Sequence, residues 1–224
     1  MGKPSKPGDG YPYFETPLDQ NCEFWAGNPD AKVTVVKYAD FQCAYCKILD
    51  SAMKRVKKKF GDKVRFVMKH FPMNVKCNPR MRGYDKHPYA CEAAYSGHCA
   101  GIQGKFWEMH DAMYARQKDL EPGLLRQMAE QIGLNLADYD ACLTDPKTAE
   151  AIRTDIAISY RAGIWGTPKT YINDRLVTGA ASASVLEYHI KRALQGKGPG
   201  KAKTKKNVVM APKPDGTQMI QAKT

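Results

Sequence analysis

The hydrophobic pattern changes period along the chain, and the changes mark its elements. Val33–Tyr38 is a short β-branched run that predicts a strand. From Cys43 to about Lys59, Ile48, Leu49, Ala52, Met53, Val56 and Phe60 recur with the period of a helix, while Lys47, Lys54, Arg55, Lys57, Lys58 and Lys59 occupy the other face. Gly61 supplies a stop. Val64–Phe71 predicts a second strand, closed by Pro72. Strand, helix and strand in one sheet imply a right-handed parallel crossover.

The next ninety or so residues lose the strand pattern. Helices are predicted over Pro88–Ala100, Lys105–Arg116, Pro122–Ile132, Leu136–Leu143 and Thr148–Ala162, with Pro88 and Pro122 suited to first turns. Leu124, Leu125, Met128, Ala129 and Ile132 form one apolar stripe; Ala149, Ile152, Ile156 and Tyr160 form another. Trp107, Met109, Met113 and Tyr114 read as helical core. After Gly163 strands return at Lys169–Ile172 and Leu176–Thr178, around the turn signal Asn173-Asp174. A last helix begins near Ser184, with Glu187 completing a capping box. The fold class is therefore α/β, with residues 31–73 plus 163–196 forming one domain that is split by an all-helical subdomain over 74–162. Residues 1–30 read as an irregular extension and 197–224 as a basic flexible tail, in which Val208–Ala211 and Thr217–Ala222 have the pattern of a weak hairpin.

Composition adds limits. At 224 residues and 43% hydrophobic content, the chain can bury a core of moderate size. No apolar stretch is long enough for a transmembrane segment, and the first thirty residues lack the apolar run of a secretory signal. The net charge is +12, part of it in the tail sequence KGPGKAKTKK. That tail reads first as a solvated extension, and second as a contact for an acidic partner or lipid head groups. No aromatic interleaving accompanies it, so no nucleic acid partner is expected.

The candidate chemistry lies at Cys43-Ala44-Tyr45-Cys46. A C-x-x-C pair serves zinc sites and redox sites alike. A structural zinc site wants a second pair at similar spacing, and the chain has none, so no metal is expected. A first cysteine at a helix start faces unpaired backbone N–H groups and the positive end of the dipole. Both favour the thiolate, the dipole by about 1 kcal/mol. Cys43 is thus the candidate nucleophile and Cys46 the resolving thiol. Far along the chain, Gly163-Ile-Trp-Gly-Thr-Pro168 places a proline at the opening of a strand.

Together, Val35–Lys47 with its C-x-x-C, Gly166-Thr-Pro-Lys-Thr-Tyr171, and Gly104-Lys-Phe-Trp-Glu-Met-His110 resemble the DsbA-like thiol–disulfide oxidoreductases of the thioredoxin superfamily. The resemblance spans roughly residues 31–195 and implies a thioredoxin fold with a helical insertion. It implies that Thr167-Pro168 is a cis-proline dipeptide set against Cys43, offering backbone groups to an extended substrate. Phe41, Tyr45, Trp165 and Pro168 are expected to form an apolar contact for unfolded polypeptide, with Ala44 between the cysteines. Two positions depart from the pattern. Family members often carry an acidic residue where this chain has Lys37, whose amine either favours the nearby thiolate or reaches water past a buried stem. Strong oxidants of the family carry histidine between the cysteines, where this chain has Ala44-Tyr45. The expected function is disulfide exchange with polypeptide thiols, needing no cofactor and a separate redox partner. An isomerase or reductase role and a non-catalytic polypeptide-binding module are the alternatives.

Five cysteines remain: Cys22, Cys77, Cys91, Cys99 and Cys142. Cys91 and Cys99 lie about 12 Å apart on one predicted helix and cannot join each other. Structural disulfides are the preferred reading, ahead of free buried thiols and a metal site that would include His87 and His98. Two bridges among five cysteines allow roughly 15 arrangements. Cys77–Cys91 with Cys99–Cys142 is the preferred one and leaves Cys22 over. So many thiols suit an oxidising compartment, periplasmic or otherwise extracytoplasmic.

Overall fold

The computed structural model describes residues 24–84 and 86–197. Cys22, the expected tail beyond Lys197 and the weak hairpin within it lie outside the described residues. Five strands form one mixed sheet: β1 (Trp25–Gly27), β2 (Val33–Ala39), β3 (Val64–His70), β4 (Lys169–Ile172) and β5 (Arg175–Thr178), in the order β1-β3-β2-β4-β5. β2 and β3 run parallel, joined by helix α1 (Ala44–Phe60), and every other pairing is antiparallel. β2 is central and buried along its whole length.

Its alternation sorts the core into two layers. Val33 and Val35 meet Leu49, Met53 and Val56 of α1, and Leu186 and Ile190 of α7 (Ala183–Leu194). Val36 and Tyr38 point the other way, to Phe71, Ile164 and Tyr171. A fully buried side chain such as Leu49 contributes about 1.5–3 kcal/mol by leaving water.

The insertion is five helices: α2 (Ala90–Ile102), α3 (Phe106–Ala115), α4 (Pro122–Gln131), α5 (Leu136–Thr144) and α6 (Pro146–Arg161). Met109, Met113, Leu125 and Met128 fill its centre, and the same cluster reaches Phe41, Cys43 and Cys46. The helical block therefore closes over the start of α1. One disulfide ties Cys99 of α2 to Cys142 of α5, and another ties Cys77, after β3, to Cys91 of α2.

Three details depart from the sequence expectation. Residues 25–27, assigned to an irregular extension, form an edge strand on β3. Three residues with one glycine carry too little alternation to register as a strand. Gly27 is required there: at φ +87° an added Cβ would stand 2.3 Å from the Val64 carbonyl oxygen. Second, α7 is capped by Ser182, whose hydroxyl accepts from the Val185 N–H, so Glu187 closes no capping box and instead pairs with Lys59. Third, Ile48, assigned to the apolar face of α1, is 55% exposed. The β4–β5 turn falls at Asn173-Asp174 as expected, and Asn173 supplies its left-handed residue at φ +50°, a role for which glycine is the commoner choice.

Candidate active site

β2 ends at Ala39, and the chain turns through Asp40, Phe41 and Gln42 before entering α1. Cys43 is the N-cap of that helix, in extended conformation, and no side chain caps it. Its carbonyl accepts the Cys46 N–H at 2.9 Å. Both cysteines are free thiols and both are buried, Cys46 completely. The Cys43 sulfur lies 3.6 Å from the carbonyl oxygen of Thr167, and the Thr167–Pro168 bond is cis. The sheet and the loop after α6 thus bring Thr167 and Pro168 against Cys43 across a sequence separation of 124 residues.

The two sulfurs have opposite electrostatics. A hydrogen bond from Cys46 holds the Cys43 thiol down at about 7; burial opposes this and a hydrogen bond from Thr167 adds to it. Burial pushes Cys46 well above the ordinary thiol range, and its bond to Cys43 pushes it further. One sulfur is ready as a thiolate near neutral pH while the other keeps its proton.

Lys37 neither reaches water nor stands unpaired. Its side chain is 4% exposed, and its ammonium lies 3.0 Å from the Asp50 carboxylate of α1 and 2.9 Å from Nε2 of His110 on α3. It also sits 4.8 Å from the centre of the Tyr114 ring. Lys37 shares the face of β2 that carries Val33 and Val35, so its side chain is directed at α1, where Asp50 waits. Burial would raise the Asp50 carboxyl, but the His110 hydrogen bond and the Lys37 charge outweigh it and hold that carboxyl well below its usual range. The network borders a cavity of about 420 Å³ and ends at Lys54, which bridges Asp50 and Asp111. Asp50, His110 and Asp111 bring three potential ligand atoms within 4.8 Å of one another, but two ammonium groups already balance their charge.

Of the residues assigned to a polypeptide contact, Trp165 is 51% exposed, while Tyr45 is half-buried against the helical block. Ala44 is exposed, and Thr167 and Pro168 are buried. Phe41 does not belong in that contact: it is 1% exposed and packs among His70, His110 and Tyr114. The turn after β2 points it inward, and only the insertion, whose packing is not visible in local sequence, encloses it. Two features were not anticipated. The Gln117 amide, between α3 and α4, donates to the carbonyls of Phe41 (2.6 Å) and Cys43 (2.9 Å). Asp40 receives His87 at 2.8 Å beside the cysteines. Gln117→Ala would take the Gln117 donor from the Phe41 carbonyl and one of several donors from the Cys43 carbonyl, and is expected to cost about 1–3 kcal/mol, read as a lower midpoint in urea at unchanged slope.

A thioredoxin family model matches residues 19–192. The chain belongs to the thioredoxin family. Among solved structures, a thioredoxin-like oxidoreductase from Silicibacter pomeroyi superposes at a TM-score of 0.66 and 24% identity, covering 80% of this chain and 98% of that one. BdbD from Bacillus subtilis superposes at 0.66 and 23%, covering 77% and 92%. A periplasmic thioredoxin-like protein from Salmonella enterica serovar Typhimurium superposes at 0.63 and 25%, covering 80% and 94%. The fold of this thioredoxin-family chain is the DsbA-like one, with helices inserted between β3 and β4. Curated relatives include segments of proteins named Na(+)/H(+) antiporter NhaA: 33% identity over 180 residues in Salinispora arenicola and 29% over 183 in Herminiimonas arsenicoxydans. The chain spans about a quarter of the length of those relatives, 26% and 27%. No helix among the described residues is long and apolar enough to cross a membrane.

Proposed function

We propose that this protein is a thiol–disulfide oxidoreductase that exchanges disulfides with polypeptides through Cys43 and Cys46. The observation that carries the reading is the Cys43 thiol, held at about 7 at the start of a helix and 3.6 Å from the Thr167 carbonyl beside cis-Pro168. In the reducing direction the Cys43 thiolate attacks one sulfur of a substrate disulfide. A Cys43–substrate S–S bond forms, the substrate S–S bond breaks, and the departing thiolate takes a proton from solvent. Cys46 then gives up its proton and attacks the Cys43 sulfur, forming the Cys43–Cys46 disulfide and releasing the second substrate thiol. The oxidising direction is the same sequence reversed.

Cys43 is buried but keeps 5% of its surface exposed where Cys46 keeps none, which suits attack on an extended chain laid beside Thr167 and Pro168, with exposed Trp165 three residues before that proline as apolar contact. The alternative of a non-catalytic polypeptide-binding module shares this surface but has no use for two thiols of such different acidity. A location outside the cytosol is part of the proposal, supported by the two disulfides outside the active pair.

Trapping tests the reading. Cys46→Ser removes the resolving thiol and is expected to accumulate polypeptides joined to Cys43, released by reductant and identified by mass spectrometry of the Cys43 peptide. If no mixed disulfide forms at Cys43 while the variant is folded, the exchange mechanism fails.

A further inference from the structure

We propose that His87, bound to Asp40, is the positioning residue that sets the reactivity of the Cys43–Cys46 pair, by balancing a buried carboxylate charge directly beside it. The inference rests on the thiol-exchange reading of that pair. Asp40 lies three residues before Cys43, with a side chain that is 0% exposed. Three N–H groups converge on its carboxylate: Gln42 N at 2.7 Å on Oδ1, and Met73 N at 2.7 Å and His87 Nδ1 at 2.8 Å on Oδ2. Its carbonyl accepts the Cys43 N–H at 3.2 Å. These bonds fix a negative charge in the turn that carries the nucleophile, where it works against a Cys43 thiolate.

His87 is the group suited to cancel that charge. It comes from the segment between β3 and α2, and its other ring nitrogen meets the Tyr84 hydroxyl at 3.2 Å. A hydroxyl accepts from an imidazolium and donates to a neutral ring, so either protonation state is hydrogen-bonded. The charged or titratable groups facing the pair are Cys43 at the start of α1, Cys46 one turn inward, and Tyr84. Burial alone would lower His87, but the Asp40 hydrogen bond and charge, helped by Cys43, hold it above its ordinary value. Below its midpoint the imidazolium neutralises Asp40 and the Cys43 thiolate is favoured. As pH rises through that midpoint, Asp40 stands unbalanced and opposes the thiolate. The cysteine and the imidazole therefore titrate as a coupled system.

Coupling is reciprocal, which gives a test on the unaltered full chain. The His87 ring is followed by NMR across the neutral range in reduced protein and in protein whose Cys43–Cys46 pair is oxidised. Loss of the thiolate is expected to lower the His87 midpoint; identical midpoints in the two states would overturn the proposal. Alkylation of Cys43 by iodoacetamide, read peptide by peptide, gives the opposite view. His87→Gln is expected to raise the Cys43 midpoint by about one unit, roughly tenfold less thiolate at a given lower pH. It should also make the pair more reducing in equilibrium with glutathione. Asp40→Asn, with His87 intact, is expected to lower the Cys43 midpoint. A merely structural role would alter melting without moving either midpoint, and that result overturns the inference. An acidic Cys43 indifferent to both substitutions sinks this inference alone; a wild-type Cys43 that titrates like an ordinary thiol sinks the thiol-exchange reading with it.

Discussion

Cys43→Ser is expected to bring disulfide exchange down to the uncatalysed rate, the largest functional effect of any single change in this protein. A serine hydroxyl does not ionise near neutral pH and does not form an S–S bond, so both attack and the covalent intermediate are lost. The remaining thiol does not substitute. Cys46 is fully buried, its proton is held well above the ordinary thiol range, and it sits one turn into α1. The serine is nearly isosteric, so the Gln117 bond to the residue 43 carbonyl and the closure of the helical block should persist. Stability measured by urea unfolding is therefore expected to stay near that of the reduced parent while turnover of a model disulfide disappears. Turnover retained at the parental rate would remove Cys43 from the mechanism.

Part of this site was legible in sequence because its signals are local. A β-branched strand, a C-x-x-C and a 3.6-residue stripe lie within one stretch, and the physics that makes Cys43 acidic is that of a helix start. Pro168 is distant, and it was reached through a family resemblance, since propensity favours a trans bond. What was missed depends on burial created by the insertion. Phe41 looks like a surface aromatic until α2 and α3 cover it. Asp40 looks like a turn residue and His87 like a loop histidine, 47 positions apart, and no period or spacing relates them. Gln117 is one more polar loop residue until its amide is seen bonded to two carbonyls of the active-site turn.

Lys37 shows how a departure from a pattern is resolved in three dimensions. Residue 37 lies on the α1 face of β2, which is where a charge is costly. What local sequence does not reveal is that Asp50, one turn beyond Cys46 on the same helix, supplies the opposite charge, and that His110 arrives from α3 to complete the pair. A buried lysine and aspartate arranged in this way satisfy each other across strand and helix, so the apparent anomaly in one segment is answered by two others.

The largest effect on stability is expected from the disulfide between Cys99 and Cys142. It joins α2 to α5 across a separation of 43 residues, against 14 for Cys77–Cys91. In the chain-entropy account a cross-link stabilises by restricting the unfolded chain, and its contribution grows with the logarithm of the closed loop. The long loop is then worth about 4 kcal/mol and the short one about 3 kcal/mol. Either is a large share of a total of about 5–15 kcal/mol. The double variant Cys99→Ala/Cys142→Ala is expected to lose more stability than Cys77→Ala/Cys91→Ala by about 1 kcal/mol, measured by urea unfolding with Cys43 and Cys46 oxidised in every sample. The same numbers bear on compartment. A reducing environment would deprive the fold of both contributions, so reductant strong enough to open these bridges should lower the unfolding midpoint by more than reduction of Cys43–Cys46 alone. Unfolding that is indifferent to the state of all four cysteines would remove the stability argument for a location outside the cytosol.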